Sequence, residues 1–139
     1  MKKLLVILLG LLLLCGCSDN SAYVGEYYDT YSQRATMKVE SNGSKLNVTV
    51  HWPDSYISYV EWTMTCKVKD NKLVYDEYKK TYAEIDEDSI QEDGSYKIKD
   101  DCPFDVGGQG YFEIVDGSLC WTGSDNEYEQ ECVFVKVEQ

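Results

Sequence analysis

The chain has 139 residues, 25 of them acidic and 13 basic, and its formal net charge of −12 excludes nucleic acid as a partner, because the phosphate backbone would repel it. A length of this order corresponds to one domain, and 43% apolar residues with 13% aromatics suffice for a core, which excludes wholesale disorder. A single histidine, with no CxxC, HExxH or glycine-rich phosphate loop in the sequence, excludes most motif-defined enzymes.

The first residues predict a signal peptide over 1–16. Lys2 and Lys3 form a short positive segment, and an apolar run over 4–14 follows it. This run is about half of the roughly 20 residues that a helix needs to cross a bilayer, and polar residues rather than basic ones come after it. Cleavage is therefore favoured over a retained transmembrane helix.

The run Leu14-Cys15-Gly16-Cys17 resembles the bacterial lipobox. The resemblance implies a thioether-linked diacylglycerol on Cys17, further acylation such as palmitate, and cleavage after Gly16. Cys15 is a poorer candidate because Leu14 precedes it, and an incidental cysteine in a plain secretory peptide is the other alternative. We expect a lipoprotein held on the cell membrane or outer membrane and facing outside the cytoplasm, with 17–22 as lipidated cysteine and tether.

Residues 23–139 read as a single all-β domain, because apolar residues alternate with polar ones from Ala35 onwards. A first hairpin turns at Ser41-Asn42-Gly43-Ser44. A long strand then places one dry face between 60 and 68, formed by Val60, Trp62, Met64, Cys66 and Val68.

The rest of the chain also predicts short strands separated by turns and loops. Asp70-Asn71 predicts a turn into a strand that starts at Lys72, 95–99 predicts a short strand, and 107–110 predicts a loop. Asp116-Gly117 predicts the turn of a second hairpin, and 133–137 predicts the last strand. With a short strand near Gly25, the fold class is a small antiparallel meander of about eight strands, up-and-down barrel-like (lipocalin/calycin-like); a two-sheet β-sandwich is the alternative.

Several segments together resemble small uncharacterised lipoproteins of gut clostridia and their relatives. They are 23–28, 32–37, 48–52, 61–63, 110–112, 119–122 and 132–134. The resemblance covers nearly all of the mature chain. It implies an envelope location and a β fold, and it carries no activity.

Four cysteines remain in the mature domain, and four allow three pairings. Cys120 and Cys132 are symmetric about Asn126, so a hairpin with its tip there would place them opposite each other; Cys66 and Cys102 then pair by remainder. Reduced thiols that pack as small core residues are the alternative. A zinc site is disfavoured because no CxxC supplies a local chelate.

The sequence nominates no catalytic residue, metal or cofactor. The acidic run 84–93 lacks the spacing of a helix-loop-helix calcium loop and reads as a solvated loop. The sequence offers no nucleophile or substrate proton on which His51 could act as a base. We therefore expect His51 to be a surface residue. A hydrolase is therefore the weakest of the functional hypotheses.

The function that the sequence favours is a non-catalytic binding module on the membrane, with Trp52, Tyr56, Tyr59 and Tyr111 as possible ligand or partner contacts. Its acidic charge would steer a cationic protein or peptide. The alternative is an inhibitor or decoy of a cationic defence protein such as lysozyme. Gly110-Tyr111 leading into 119–123 is similar to the barrel-type lysozyme inhibitors, although 107–110 lacks the serine and arginine of their inserted loop.

Overall fold

A computed structural model describes residues 20–123 and 132–138. The predicted signal peptide, Cys17 and the hairpin tip predicted near Asn126 lie outside these residues. The described part contains ten strands, and their bounds are β1 Gly25–Asp29, β2 Thr36–Asn42, β3 Lys45–Pro53, β4 Ser58–Lys69, β5 Lys72–Tyr75, β6 Tyr78–Glu84, β7 Phe104–Gly107, β8 Gly110–Val115, β9 Ser118–Gly123 and β10 Val133–Lys136.

The strands close into an antiparallel barrel. The ring runs β1-β2-β3-β4-β5-β8-β9-β10 and returns to β1, where Tyr28 pairs with Val135. The pairing of β3 with β4 is the longest, from Leu46 opposite Cys66 to Pro53 opposite Tyr59. Closure leaves no open edge within the ring, which resolves the edge-strand problem. The eight-stranded barrel is confirmed, and the sandwich alternative is not adopted.

β6 and β7 are not two further strands of the ring. They continue the ladder that β5 and β8 begin. Tyr75 pairs with Gly110 and Tyr78 with Gly107, so both pairs keep one register, and β5–β6 against β8–β7 form a single ladder interrupted at 76–77. Against β4, the chain between Val74 and Lys79 carries one residue more than its partner, which is the geometry of a β-bulge. The ladder therefore bends here, and β6 and β7 continue beside the first half of β4.

The two ends of the barrel differ in their connections. Two-residue turns at 43–44, 70–71 and 116–117 all lie at one end, here called the turn end. Asp70 and Asn71 both have positive φ, as do Asp116 and Gly117, which matches the turn type that suits the twist of a hairpin. The opposite end, here called the loop end, carries the longer connections 30–35, 54–57 and 85–103.

Aromatic and aliphatic side chains fill the barrel interior. The predicted alternation is confirmed on β3 and β4, whose inward residues include Val50 and Trp62, both 0% exposed. Trp121 meets Trp62 edge to face at 5.5 Å and stacks on Phe112 at 5.3 Å. Burying a side chain of this size contributes about 2–3 kcal/mol, so these aromatic residues contribute a large share of the stability of the core.

Three details differ from the sequence prediction. The strand predicted over 95–99 is a single bridge between Ile85 and Ile98 within the connection 85–103. β7 was not predicted as a strand, and only its last residue lies in the loop predicted at 107–110. Part of the predicted tether is structured: Asn20–Ala22 forms a 3₁₀ helix, its Asn20 amide donates to the Ser44 carbonyl at 3.0 Å, and Lys136 donates to the Ala22 carbonyl at 3.2 Å.

Candidate functional site

The loop end carries a dense negative charge. The connection 85–103, here called the acidic connection, contains seven carboxylates and two lysines. A cluster of this sign creates a local potential that attracts cations over about one Debye length, ~8 Å at physiological salt. The charge of this molecule is therefore concentrated at one end and not spread evenly.

Hydrogen bonds fix the acidic connection against the barrel. The Asp86 amide donates to the Lys97 carbonyl at 3.0 Å, and the Lys99 amide donates to the Glu84 carbonyl at 2.9 Å. Asp86 also caps the short 3₁₀ helix Glu87–Ser89, where its carboxylate accepts from the Asp88 amide. The Lys99 ammonium pairs with the Glu84 carboxylate, and this contact raises the pKa of Lys99. The carboxylates are thus presented on an ordered backbone.

Exposed aromatic and aliphatic side chains lie within this charged surface. Tyr56, on the 54–57 loop, is 78% exposed, and its hydroxyl donates to a Glu87 carboxylate oxygen at 3.2 Å. The charge of Glu87 raises the pKa of Tyr56. Ile90 and Tyr96 of the acidic connection are each 46% exposed. The loop end therefore combines apolar contact area with carboxylates, which is the composition that a cationic partner requires.

Tyr59 and Trp52, two of the predicted contacts, lie beside and beneath this surface. The Tyr59 ring lies 4.3 Å from that of His51, whose Nδ1 is 3.6 Å from a Glu61 oxygen, and burial raises the pKa of Tyr59. Trp52 points inward from β3 and is 5% exposed, so it packs in the core and adds little to this surface. The Arg34 guanidinium lies 5.9 Å from its ring centroid.

Tyr111 is not brought together with the other three. It lies on β8 between Val74 of β5 and Thr122 of β9, and the Lys72 ammonium is 4.5 Å above its ring. Only Tyr56 and Tyr59, of the four predicted contacts, reach the loop end with exposed surface.

No disulfide joins any two of the four cysteines of the described part. Cys120 lies opposite Val133 and not Cys132, and this one-residue offset turns Cys120 and Cys132 to opposite faces of the sheet. Cys102 contacts the Glu84 amide, opposite Ser58 on β4, while Cys66 lies eight residues further along that strand. At ~3.3 Å per residue this is about 26 Å, beyond the ~7 Å limit for a bridge. Neither predicted disulfide forms in this structure.

The described residues hold no group of three or more His, Cys, Asp or Glu side chains arranged to bind a metal ion. In the part of the chain that is described, no helix is long and apolar enough to span a membrane.

Sequence reasoning missed the contribution of Ile90 and Tyr96. The acidic run was read as a solvated loop, and the two side chains on either side of Gly94 were not assigned a role. The sequence did offer an indication. Each is a hydrophobic residue within a highly charged loop, where it cannot be buried in the core.

The molecule belongs, by its architecture, to the small closed antiparallel barrels that present long connections at one end. No protein-family model, curated protein or solved structure matches the chain.

Proposed function

We propose that this protein is a lipid-anchored, extracytoplasmic binding module, without catalytic activity, that takes a cationic protein or peptide at its loop end. The observation that carries the proposal is the placement of the acidic connection and Tyr56 at the end of the barrel opposite the N-terminal segment.

The barrel topology supports this orientation. Asn20–Ala22 packs at the turn end, and Cys17 precedes it by three residues, which span at most about 10 Å. A lipid on Cys17 would hold the turn end at the bilayer. β4 has 12 residues, so it would carry the loop end some 30 Å away, given ~3.3 Å per residue and a strand tilt of about 40°.

The distance between the acidic connection and the turn end also reduces electrostatic repulsion by the membrane. An acidic protein is repelled by anionic head groups, but the repulsion is screened over about 8 Å at physiological salt. Because the acidic connection lies several Debye lengths from the turn end, its charge acts on a partner in the surrounding medium and only weakly on the membrane.

The test uses the chain 18–139, which contains the whole core, from Tyr23 to Phe134. Lysozyme and a lysine-rich peptide are the probes, titrated at about 0.15 M salt, where nonspecific attraction is screened. We expect saturable binding, and we expect Tyr56→Ala to weaken it about tenfold, the typical loss at an aromatic hot spot.

A matched pair of charge variants locates the site. Glu87→Gln with Asp88→Asn removes two charges at the loop end, and Asp70→Asn with Asp116→Asn removes two at the turn end. The first pair should weaken binding and the second should change it less than twofold. Equal losses from both pairs, or binding of neither probe at this salt, would overturn the proposal.

The second candidate, an inhibitor or decoy of lysozyme, is supported by the same acidic end, because lysozyme is cationic. The two are separated by the rate at which lysozyme clears a suspension of cell walls. An inhibitor abolishes clearance at stoichiometric concentration, whereas a module that binds lysozyme away from its cleft leaves the rate unchanged.

A further inference from the structure

We propose that a second site, on the outer face of the barrel, binds an anionic glycan chain. The bend at 76–77 leaves a groove of about 1030 Å³ along the outer side of β3, β4 and the β5–β6 ladder. This volume is at the upper end of the ~300–1000 Å³ that is usual for ligand sites.

Four lysines line the groove, although acidic residues outnumber basic ones by nearly two to one in the chain. Lys45, Lys67 and Lys69 form no ion pair with any described residue, whereas Lys38, Lys72 and Lys99 pair with glutamates. Lys79 lies with its ammonium 4.6 Å from the Phe104 ring centroid. Lysines that form no ion pair in so acidic a protein are available to an external anion.

The acidic residues of the groove do not cancel this charge. Glu40, one of three carboxylates in the lining, is paired with Lys38 at 2.9 Å. The other two, Asp76 and Glu77, lie at the bend of the ladder. The stretch beside Lys45, Lys67 and Lys69 is therefore locally positive.

The floor of the groove is a patch of hydroxyl and amide groups. Thr49 lies opposite Thr63, and Asn47 opposite Thr65, all four pointing away from the core. The Thr65 hydroxyl donates to the Asn47 side-chain oxygen at 3.4 Å, which ties the two strands together at this point. Such groups both donate and accept hydrogen bonds, as the hydroxyls of a sugar do.

The shape of the groove favours a chain over a bilayer or a protein. It extends along the strands from the turn end, at Lys45 and Lys69, to Lys79 and Val106 of the bent ladder. A flat membrane would touch only the end of this path. Its lining carries hydroxyl, amide and ammonium groups, and its one aromatic residue, Tyr78, is buried, so it offers none of the exposed aromatic anchors that are common at the centre of protein interfaces. Charge and hydrogen bonding together select a glycan that carries carboxylate or phosphate.

The test measures binding of a hexagalacturonate oligosaccharide to chain 18–139 by calorimetry, with the fully methyl-esterified hexamer as the uncharged match. We expect the acid form to bind and the ester to bind at least tenfold more weakly. Lys67→Glu and Lys69→Glu should each weaken binding about tenfold, which is the loss of one charge-assisted hydrogen bond.

Lys97→Glu is the matched control, because it makes the same charge change at the loop end and should alter affinity less than twofold. Thr63→Val removes one hydroxyl group from the floor of the groove without changing the charge. Tryptophan fluorescence verifies that each variant is folded. Equal binding of acid and ester, or equal losses in the Lys67 and Lys97 variants, would overturn the proposal. So would binding to anionic phospholipid vesicles through Lys67 without binding to the oligosaccharide.

These outcomes are independent of the proposed function. The groove variants leave the loop end intact, and the loop-end variants leave the groove intact, so either site can fail while the other stands.

Discussion

Asp29 is the one charged side chain among the buried residues of the described chain, at 1% exposure. Its carboxylate accepts hydrogen bonds from the amides of Tyr31 and Ser32, each at 3.0 Å, and from the amide of Val133 at 2.9 Å. The Ser32 hydroxyl also donates to it. One residue thus organises the 30–35 loop and ties β1 to β10, which is how its charge is accommodated without a cation.

Asp29→Ala should lower the free energy of unfolding by about 3 kcal/mol, because three partly buried amide donors lose their acceptor. Asp29→Asn keeps one side-chain oxygen and should cost less. The measurement is urea unfolding followed by tryptophan fluorescence. Asp54→Ala, an exposed residue of the same barrel end, is the control and should shift stability by less than about 0.5 kcal/mol. A similar effect of both alanine variants would contradict this account of Asp29.

At the scale of the elements, periodicity predicted most of the strands and their phase. On β3 and β4 the strict alternation allowed one solution, since a slip of one residue would have turned Trp52 and Trp62 to solvent. The turns at Asp70-Asn71 and Asp116-Gly117 were readable because these residues tolerate positive φ.

The elements that sequence reasoning missed depend on tertiary contacts. β7 has four residues, three of them exposed, so it carries no alternation to read; it is a strand because it pairs with β6. The candidate site likewise depends on tertiary contacts that the sequence does not show. Tyr56 and Glu87 lie 31 residues apart and meet only because 54–57 and the acidic connection share one end of the barrel.

Gly110 is an element-scale feature that tolerates little change. It lies opposite Tyr75 in the β5–β8 ladder, and a methyl group there would come within 2.7 Å of the Thr122 carbonyl oxygen and would also strike the Tyr75 hydroxyl. That hydroxyl accepts a hydrogen bond from the Trp121 indole at 2.8 Å, so it cannot move freely.

Gly110→Ala should therefore destabilise the barrel by about 2–3 kcal/mol, the cost of overpacking where neighbours cannot yield. Gly43→Ala, which meets open space, should cost about 1 kcal/mol from its positive φ alone. Thermal unfolding by circular dichroism compares the two. A melting temperature for the Gly110 variant equal to or above that of the Gly43 variant would show that the ladder relaxes more than the packing implies.

At the scale of the whole molecule, the reactivity of the cysteine thiols indicates whether the barrel is closed. Cys66 and Cys132 face the interior, while Cys102 and Cys120 are partly exposed. Burial raises the pKa of Cys66 from its ordinary value of 9.0 to about 12. Since unfolding would restore the lower pKa, this thiol's contribution to stability is present below pH 9 and is lost as the pH rises from 9 towards 12.

In native protein at pH 8, N-ethylmaleimide should modify two thiols of chain 18–139 quickly and the other two only on unfolding, because the thiolate is the reactive form. Intact mass after timed quenching gives the count, and peptide mapping assigns Cys102 and Cys120. A mass lower by four hydrogens before reduction would mean two bridges and a rearranged sheet. Rapid modification of all four thiols would mean an open barrel.

The pairing of β1 with β10 joins strands that lie far apart in the sequence, so the barrel can close only once β10 is available. Until residues 133–136 can reach Tyr27–Asp29, Phe134 is missing from the interior and the ring has two open edges. Closure therefore waits for β10, whose contact with β1 spans more than 100 residues of sequence. A chain that stops short of β10 would expose its first strand to neighbouring chains, so β10 decides whether folding yields a closed barrel or an aggregate.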